Sequence, residues 1–181
     1  MSSLVISGDT SGAVTLTVPS TAGTNTATLP AATGTVMVSG NMPAFYATMS
    51  SNQTISASTN TKVQFNTKSF DTASCYDTTN YRFTPTVAGY YQINACIYPS
   101  STTSFSQVNT MLWKNGSAFQ VAVTRYSSTS DVTAQITALV YMNGSTDYLE
   151  VYGAMYTVVG TPSFNSASPQ NWFSGTLVRA A

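Results

Sequence analysis

The residues able to do chemistry are few. The chain of 181 residues has no histidine, two cysteines and six carboxylates, Asp9, Asp71, Asp77, Asp131, Asp147 and Glu150. Without an imidazole there is no Ser/His/Asp triad, no Cys/His pair and no common zinc site. A glycosidase needs two carboxyl groups flanking one bond. Asp147 and Glu150 stand three apart on an expected strand, which sends them to opposite faces. Asp71 and Asp77 are close enough to converge in a loop, but both read as turn residues. Calcium wants several oxygen ligands with negative charge among them, and the acid count is low for that. "SGDTSG" lacks the lysine and the following helix of a phosphate loop. The expectation is a protein that is not an enzyme and holds no cofactor or metal.

Trp113, Trp172 and the eleven tyrosines could form a platform for sugars, yet aromatic rings more often bury large areas in a core or an interface. Trp113, on a strand before a hairpin, is expected to be buried. Trp172, after "SASPQN", is the candidate exposed aromatic. Cys75 and Cys96 are expected to be free, partly buried thiols, because "MSSL" lacks the charged and apolar regions of a secretory signal.

Composition narrows the partners. Charged residues make up 7% of the chain and cancel to zero, against about 25% in an ordinary protein. There is no electrostatic footprint for nucleic acid and no basic patch for anionic lipid. No run approaches the ~20 apolar residues of a membrane-spanning helix. The polar surface must be built from Ser, Thr, Asn, Gln and Gly. That suits a soluble β domain and also a subunit buried in an assembly, since net charge near zero favours association.

The elements that must position these residues are strands. Residues 1–40 are short Thr/Val/Ala runs with no aromatic residue and one charge, Asp9, whereas residues 43–181 hold every Phe, Tyr and Trp. The boundary is placed near Ser39-Gly40-Asn41. In the first region "AVTLTVP" alternates as a half-buried strand, and "TNTATLP" and "TVMV" read as two more. Alone they bury little and need the rest of the chain or other copies. The second region predicts strands over residues 44–49, 62–65, 81–84, 90–98, 108–114, 117–126, 132–142, 147–155 and 173–178, with turns at the spacing of a sandwich or barrel. Lys114-Asn115-Gly116-Ser117 signals a tight hairpin, and Asn143-Gly144-Ser145 repeats the signal. No helix is expected.

One stretch, "FTPTVAGYYQIN" at residues 83–94, links the strands to a longer pattern. Tyr91, Ile93, Ala95 and Ile97 share the face expected to meet the core, and Tyr90, Gln92, Asn94, Cys96 and Tyr98 share the other. Pro85 marks a corner, and Gly89 is read as allowing a sharp entry into the strand. Tyr90, Cys96 and Tyr98 form the candidate packing face between subunits.

Phe65, Asp71, Tyr76, Phe83, Gly89 and Tyr91, spaced through "FNTKSFDTASCYDTTNYRFTPTVAGYY", resemble the signature of the C1q-like domain in the C1q/TNF superfamily. Ile93 and Ala95 depart from it, standing where the family prefers Phe and an aromatic. "LWKNGS" and the final "FSGTLV" also resemble the family. The resemblance covers residues 43–181 and implies an all-β, ten-stranded jelly roll that assembles as a homotrimer. "AGTNTATLPAATGTV" in residues 1–40 is similar to a segment of tailed-bacteriophage structural proteins. Together the two imply a virion protein on the phage surface, made in the host cytoplasm. It would be a trimeric capsid decoration or cement protein gripping the major capsid protein or another virion protein through residues 1–40. The alternative is a receptor-binding knob of a tail or head fibre that recognises a host surface glycan.

Overall fold

The computed structural model describes residues 3–21, 23–26, 36–38, 42–126, 132–166 and 170–181. The chain divides into two compact units, Met1–Gly34 and Thr35–Ala181.

The smaller unit holds one antiparallel hairpin, β1 (Ser3–Ser7) with β2 (Ala13–Thr17), in a register that pairs Leu4 with Leu16 and Ile6 with Val14. Gly12, at φ 78°, supplies the left-handed conformation of the turn, and the Gly8 N–H donates to its carbonyl. The alternation of "AVTLTVP" produces the strand as expected, but not the expected half-burial: every residue of β2 is exposed. Among the described residues of this unit, the two short strands have no second layer over them. Of the expected strand "TNTATLP", residues 27–30 lie outside the described residues, and residues 24–26 form no strand. "TVMV" is not a strand over residues 36–38 either; Met37 instead packs against the core of the larger unit.

The larger unit is a two-layer sandwich. Its strands in chain order are β3 (Ala44–Thr48), β4 (Gln53–Thr54), β5 (Thr61–Lys62), β6 (Thr67–Asp71), β7 (Tyr76–Asp77), β8 (Arg82–Phe83), β9 (Gly89–Ile97) and β10 (Pro99–Ser101). They continue with β11 (Gln107–Lys114), β12 (Ser117–Arg125), β13 (Ala134–Met142), β14 (Leu149–Tyr156), β15 (Pro162–Phe164) and β16 (Trp172–Ala180). One sheet runs β12-β11-β14-β8-β7, with β5 also on β14. The other runs β13-β9-β16-β3-β6, and β10-β15-β4 form a small third sheet. No helix occurs among the described residues. The fold is the all-β jelly-roll sandwich.

Long strands alternate cleanly where two layers face. Along β13 the residues go in and out one by one from buried Ala134 to buried Met142. On β9, Tyr91, Ile93, Ala95 and Ile97 are fully buried, which is the face expected from the sequence. The other face is not uniformly open, because Cys96 is buried as well. Asn115 and Gly116 adopt φ 52° and 78° and join β11 to β12 as a tight primed hairpin.

The second Asn-Gly site behaves differently. β13 pairs with β9 while β14 pairs with β11, so residues 143–148 cross between sheets and form no hairpin. Only Gly144 has positive φ there. The Asn143 side chain makes the turn instead, its Oδ1 accepting from the backbone N–H groups of Ser145, Thr146 and Asp147.

Candidate functional site

Four of the six signature residues, Phe65, Tyr76, Phe83 and Tyr91, meet in one aromatic cluster. Phe45 on β3 stacks on Phe83 at 4.5 Å and on Tyr76 at 4.9 Å, and meets Phe173 edge-on at 4.9 Å. Phe83 in turn meets Tyr91 edge-on at 5.4 Å, and Phe65 lies 5.9 Å from Phe173. The Tyr76 hydroxyl donates to the Phe65 carbonyl at 2.9 Å, and the Tyr91 hydroxyl to that of Val87 at 2.7 Å. Burial pushes both phenols up from their usual range. Neither is poised to lose a proton.

Asp71 stands at the end of β6 and closes the loop before β7. Its carboxylate accepts from the backbone N–H groups of Cys75 and Tyr76 at 2.9 and 3.0 Å, and pairs with Lys68 at 3.1 Å. Burial by itself would raise its pKa; the two amides and the lysine outweigh that and hold it below the usual carboxylate range. Gly89 has an ordinary φ, so the expected sharp entry is not what requires it. A Cβ there would overlap the Arg179 carbonyl oxygen and the Ala180 Cα, because β16 runs tightly against the start of β9. These six positions hold the framework together.

The remaining carboxylates are committed separately. Asp77 accepts from Thr79 and Asn80 within its own turn, so it does not share ligands with Asp71. Asp147 lies in the crossover before β14 rather than on a strand. It pairs with Lys114 at 2.8 Å and accepts from Asn115, contacts that hold its carboxyl below the usual range. Glu150 on β14 receives both Lys62 at 2.7 Å and Arg82 at 2.9 Å. It is buried, and its charge is met by two cations on neighbouring strands. The register lines up Trp113, Glu150, Arg82 and Asp77 across four strands. Trp113 is half-buried rather than buried, stacked on Tyr152 at 4.1 Å, and Arg82 lies 4.1 Å above the Tyr148 ring. No group of three metal-ligating side chains forms among the described residues.

The face best suited to binding is the outer surface of the sheet β13-β9-β16-β3-β6. Trp172 is half-buried there rather than fully exposed. It stacks on Tyr46 at 6.1 Å, and Tyr46 stacks on exposed Phe70 at 6.3 Å, a ladder of three rings across β16, β3 and β6. At the other end, Tyr90 and Tyr141 pair across strands with rings 5.5 Å apart, beside exposed Leu139. Between these ends runs a polar stripe: Gln92 donates to the Thr137 hydroxyl, which donates to Asn94 Oδ1, both at 2.7 Å. Asn94, Gln135, Ile136, Thr137 and Trp172 line a pocket of about 110 Å³.

Of the candidate packing face, Tyr90 is 41% exposed, Tyr98 is half-buried and Cys96 is enclosed. Burial raises the Cys96 thiol, against hydrogen bonds from Thr133 and Gln135, so it is not an activated nucleophile. Both cysteines are free and buried. The ring ladder escaped sequence reading because Tyr46, Phe70 and Trp172 come from distant stretches; only sheet order brings them together. The adjoining edge strand β12 turns Phe119, Val121 and Val123 outward, each 47% exposed.

Residues 44–178 match the C1q domain family. No curated protein sequence matches the chain. Among solved structures it is similar to an Eiger TNF from S. frugiperda, with a TM-score of 0.59 at 12% identity over 77% of this chain and 93% of that one. The globular domain of the zebrafish complement 1qA protein gives 0.54 at 15% identity over 77% and 98%. Murine APRIL at pH 5.0 gives 0.59 at 6% identity over 76% and 99%. At these identities the likeness is one of fold.

Proposed function

The chain belongs to the C1q domain family, and from that premise we propose that it is a non-enzymatic virion structural protein. In this reading it works as a trimer and decorates a phage head, fastened through residues 1–40. The observation that carries the trimer is the pair of exposed apolar surfaces at two edges of the sandwich, one on β12 with the neighbouring β13 of the other sheet, the second on β16, β3 and β6. The outward stripe Phe119, Val121 and Val123, with Leu139 and Tyr141, packs on the ladder Phe70, Tyr46 and Trp172 of the next copy. Contact between two different patches closes into a ring when the rotation is threefold. Large exposed apolar patches on one chain mark such surfaces. The low charge leaves little repulsion between copies.

The virion role rests on residues 1–40. Their stretch "AGTNTATLPAATGTV", which follows the hairpin, resembles a segment of tailed-phage structural proteins. Light scattering of the full chain should return three times the mass of one chain, and Tyr46→Asp or Val121→Asp should lower it to the monomer with the circular dichroism unchanged. A monomer mass for the wild-type chain overturns the trimer. Antibody-gold labelling of purified particles should mark heads.

The second reading is a receptor-binding knob for a host surface glycan. The opposite sheet favours it, where Trp113, Tyr152 and Tyr148 lie beside Arg82 and Lys62, and where Trp113 Nε1 and Arg82 Nε lack an acceptor. Gold at tail or fibre tips, with binding of the purified trimer to a glycan array, would favour it over decoration.

A further inference from the structure

We infer that the β1–β2 hairpins of three copies pack on one another through the face formed by Leu4, Ile6, Val14 and Leu16. This rests on the trimer reading above and names the partner of a surface that reading leaves bare. The register decides which residues share the face. Leu4 pairs with Leu16 and Ile6 with Val14, while Val5, Ser7, Ala13, Thr15 and Thr17 take the opposite side. The four apolar side chains are each between 55% and 63% exposed. One face of the ribbon is therefore wholly apolar and the other mostly Ser, Ala and Thr, an asymmetry that water alone does not reward.

Three arguments select a second copy as the occupant. Asp9 is the one charge in residues 1–40, so the region offers nothing to a strongly charged partner, and a neutral apolar surface matches it. The two edges of the face are also nearly equivalent: β1 presents Leu4 and Ile6, β2 presents Leu16 and Val14. The β1 side of one hairpin can thus meet the β2 side of the next with similar volumes.

Area supplies the third argument. Five residues per strand make a face about 17 Å long and about 10 Å wide, roughly 170 Å² against the about 800 Å² per partner of a stable complex. A contact that small does not hold a free partner. It does hold hairpins already tethered in one trimer, where the local concentration is of millimolar order. The Ser/Thr face then remains available to a virion protein.

The test is disulfide trapping in the full chain. Wild-type Cys75 and Cys96 are buried and free, so the background is low. Leu16→Cys under mild oxidant should give linked pairs in up to about two-thirds of chains, since three thiols in a closed trimer make one bond. Thr15→Cys, one residue along and on the opposite face, should stay at the wild-type level. A trimer mass by light scattering with no Leu16→Cys linkage overturns the inference and leaves the trimer standing. A monomer mass overturns the trimer reading and this inference with it. Equal trapping at both positions also overturns it, because the contact would not be through this face. So does trapping of Leu16→Cys to another protein in intact particles, which would assign the face to a virion partner.

Discussion

The hairpin β1–β2 and the strand β13 are written in the same alternating pattern and end in different environments. In β13, Ala134, Ile136, Ala138, Val140 and Met142 go into the core while their neighbours face out. In β2 all five residues are exposed, although Val14 and Leu16 alternate with threonines in the same way. The difference is the second layer. The two large sheets of the sandwich cover each other, whereas no second layer stands over the ribbon among the described residues of its own unit. Alternation specifies that a segment is a strand and which residues share a face; whether that face is buried depends on what stands opposite.

That contrast can be broken most strongly from the core side. Phe83→Ala removes a fully buried ring that touches Phe45 and Tyr91 and should cost about 3–5 kcal/mol. Leu16→Ala should move the unfolding of the larger unit by no more than about 0.5 kcal/mol, as exposed positions do. Both tryptophans lie in residues 43–181, so urea denaturation followed by tryptophan fluorescence reads that unit alone.

A pair of glycines sharpens the same comparison. Gly89→Ala drives a methyl into the backbone of β16 and should destabilise by about 1–3 kcal/mol, the usual penalty for overpacking. Gly12→Ala meets open space and only a positive φ, a strain of about 1–2 kcal/mol confined to the hairpin. The tryptophan signal should not register it. An equal shift from both variants would mean that the units unfold together.

The smallest effect is electrostatic and pH-dependent. The folded pKa of Asp71 is depressed, so the stability it contributes is fully present above its unfolded value of about 3.9. It is lost as pH falls through the lower folded value. Asp71→Asn should therefore be less stable than wild type at pH 7, and the gap should narrow on acidification below about pH 4. Denaturation midpoints at pH 7 and in acid check the sign; a gap that widens in acid contradicts the assignment.

Much of the framework was legible in the sequence. The core face of β9 and the Asn115-Gly116 hairpin both depend on local spacing, and local spacing is what a sequence displays. Three of the readings that needed correction share one reason. Asn143-Gly144 looked like a second hairpin, but a turn motif does not say which strand its flanks will pair with, and β13 and β14 belong to different sheets. Gly89 looked like a conformational requirement and is a packing one, set by β16 some ninety residues later in the chain. Trp172 looked exposed, yet Tyr46 from β3 half covers it.

The sequence by itself determined that this chain is built of strands, that its aromatic residues gather in one of two regions, and that it lacks the side chains of the commonest hydrolytic sites. Periodicity, composition and the absence of histidine carry those facts, and none depends on distant contacts. Tertiary structure alone decided which faces are closed. Strand order placed Phe70, Tyr46 and Trp172 side by side, aligned Trp113, Glu150, Arg82 and Asp77 in one row, and left Leu4, Ile6, Val14 and Leu16 of the hairpin exposed. Pairing between strands far apart in the chain is settled by how two layers enclose a shared core, and no local stretch of sequence contains that information.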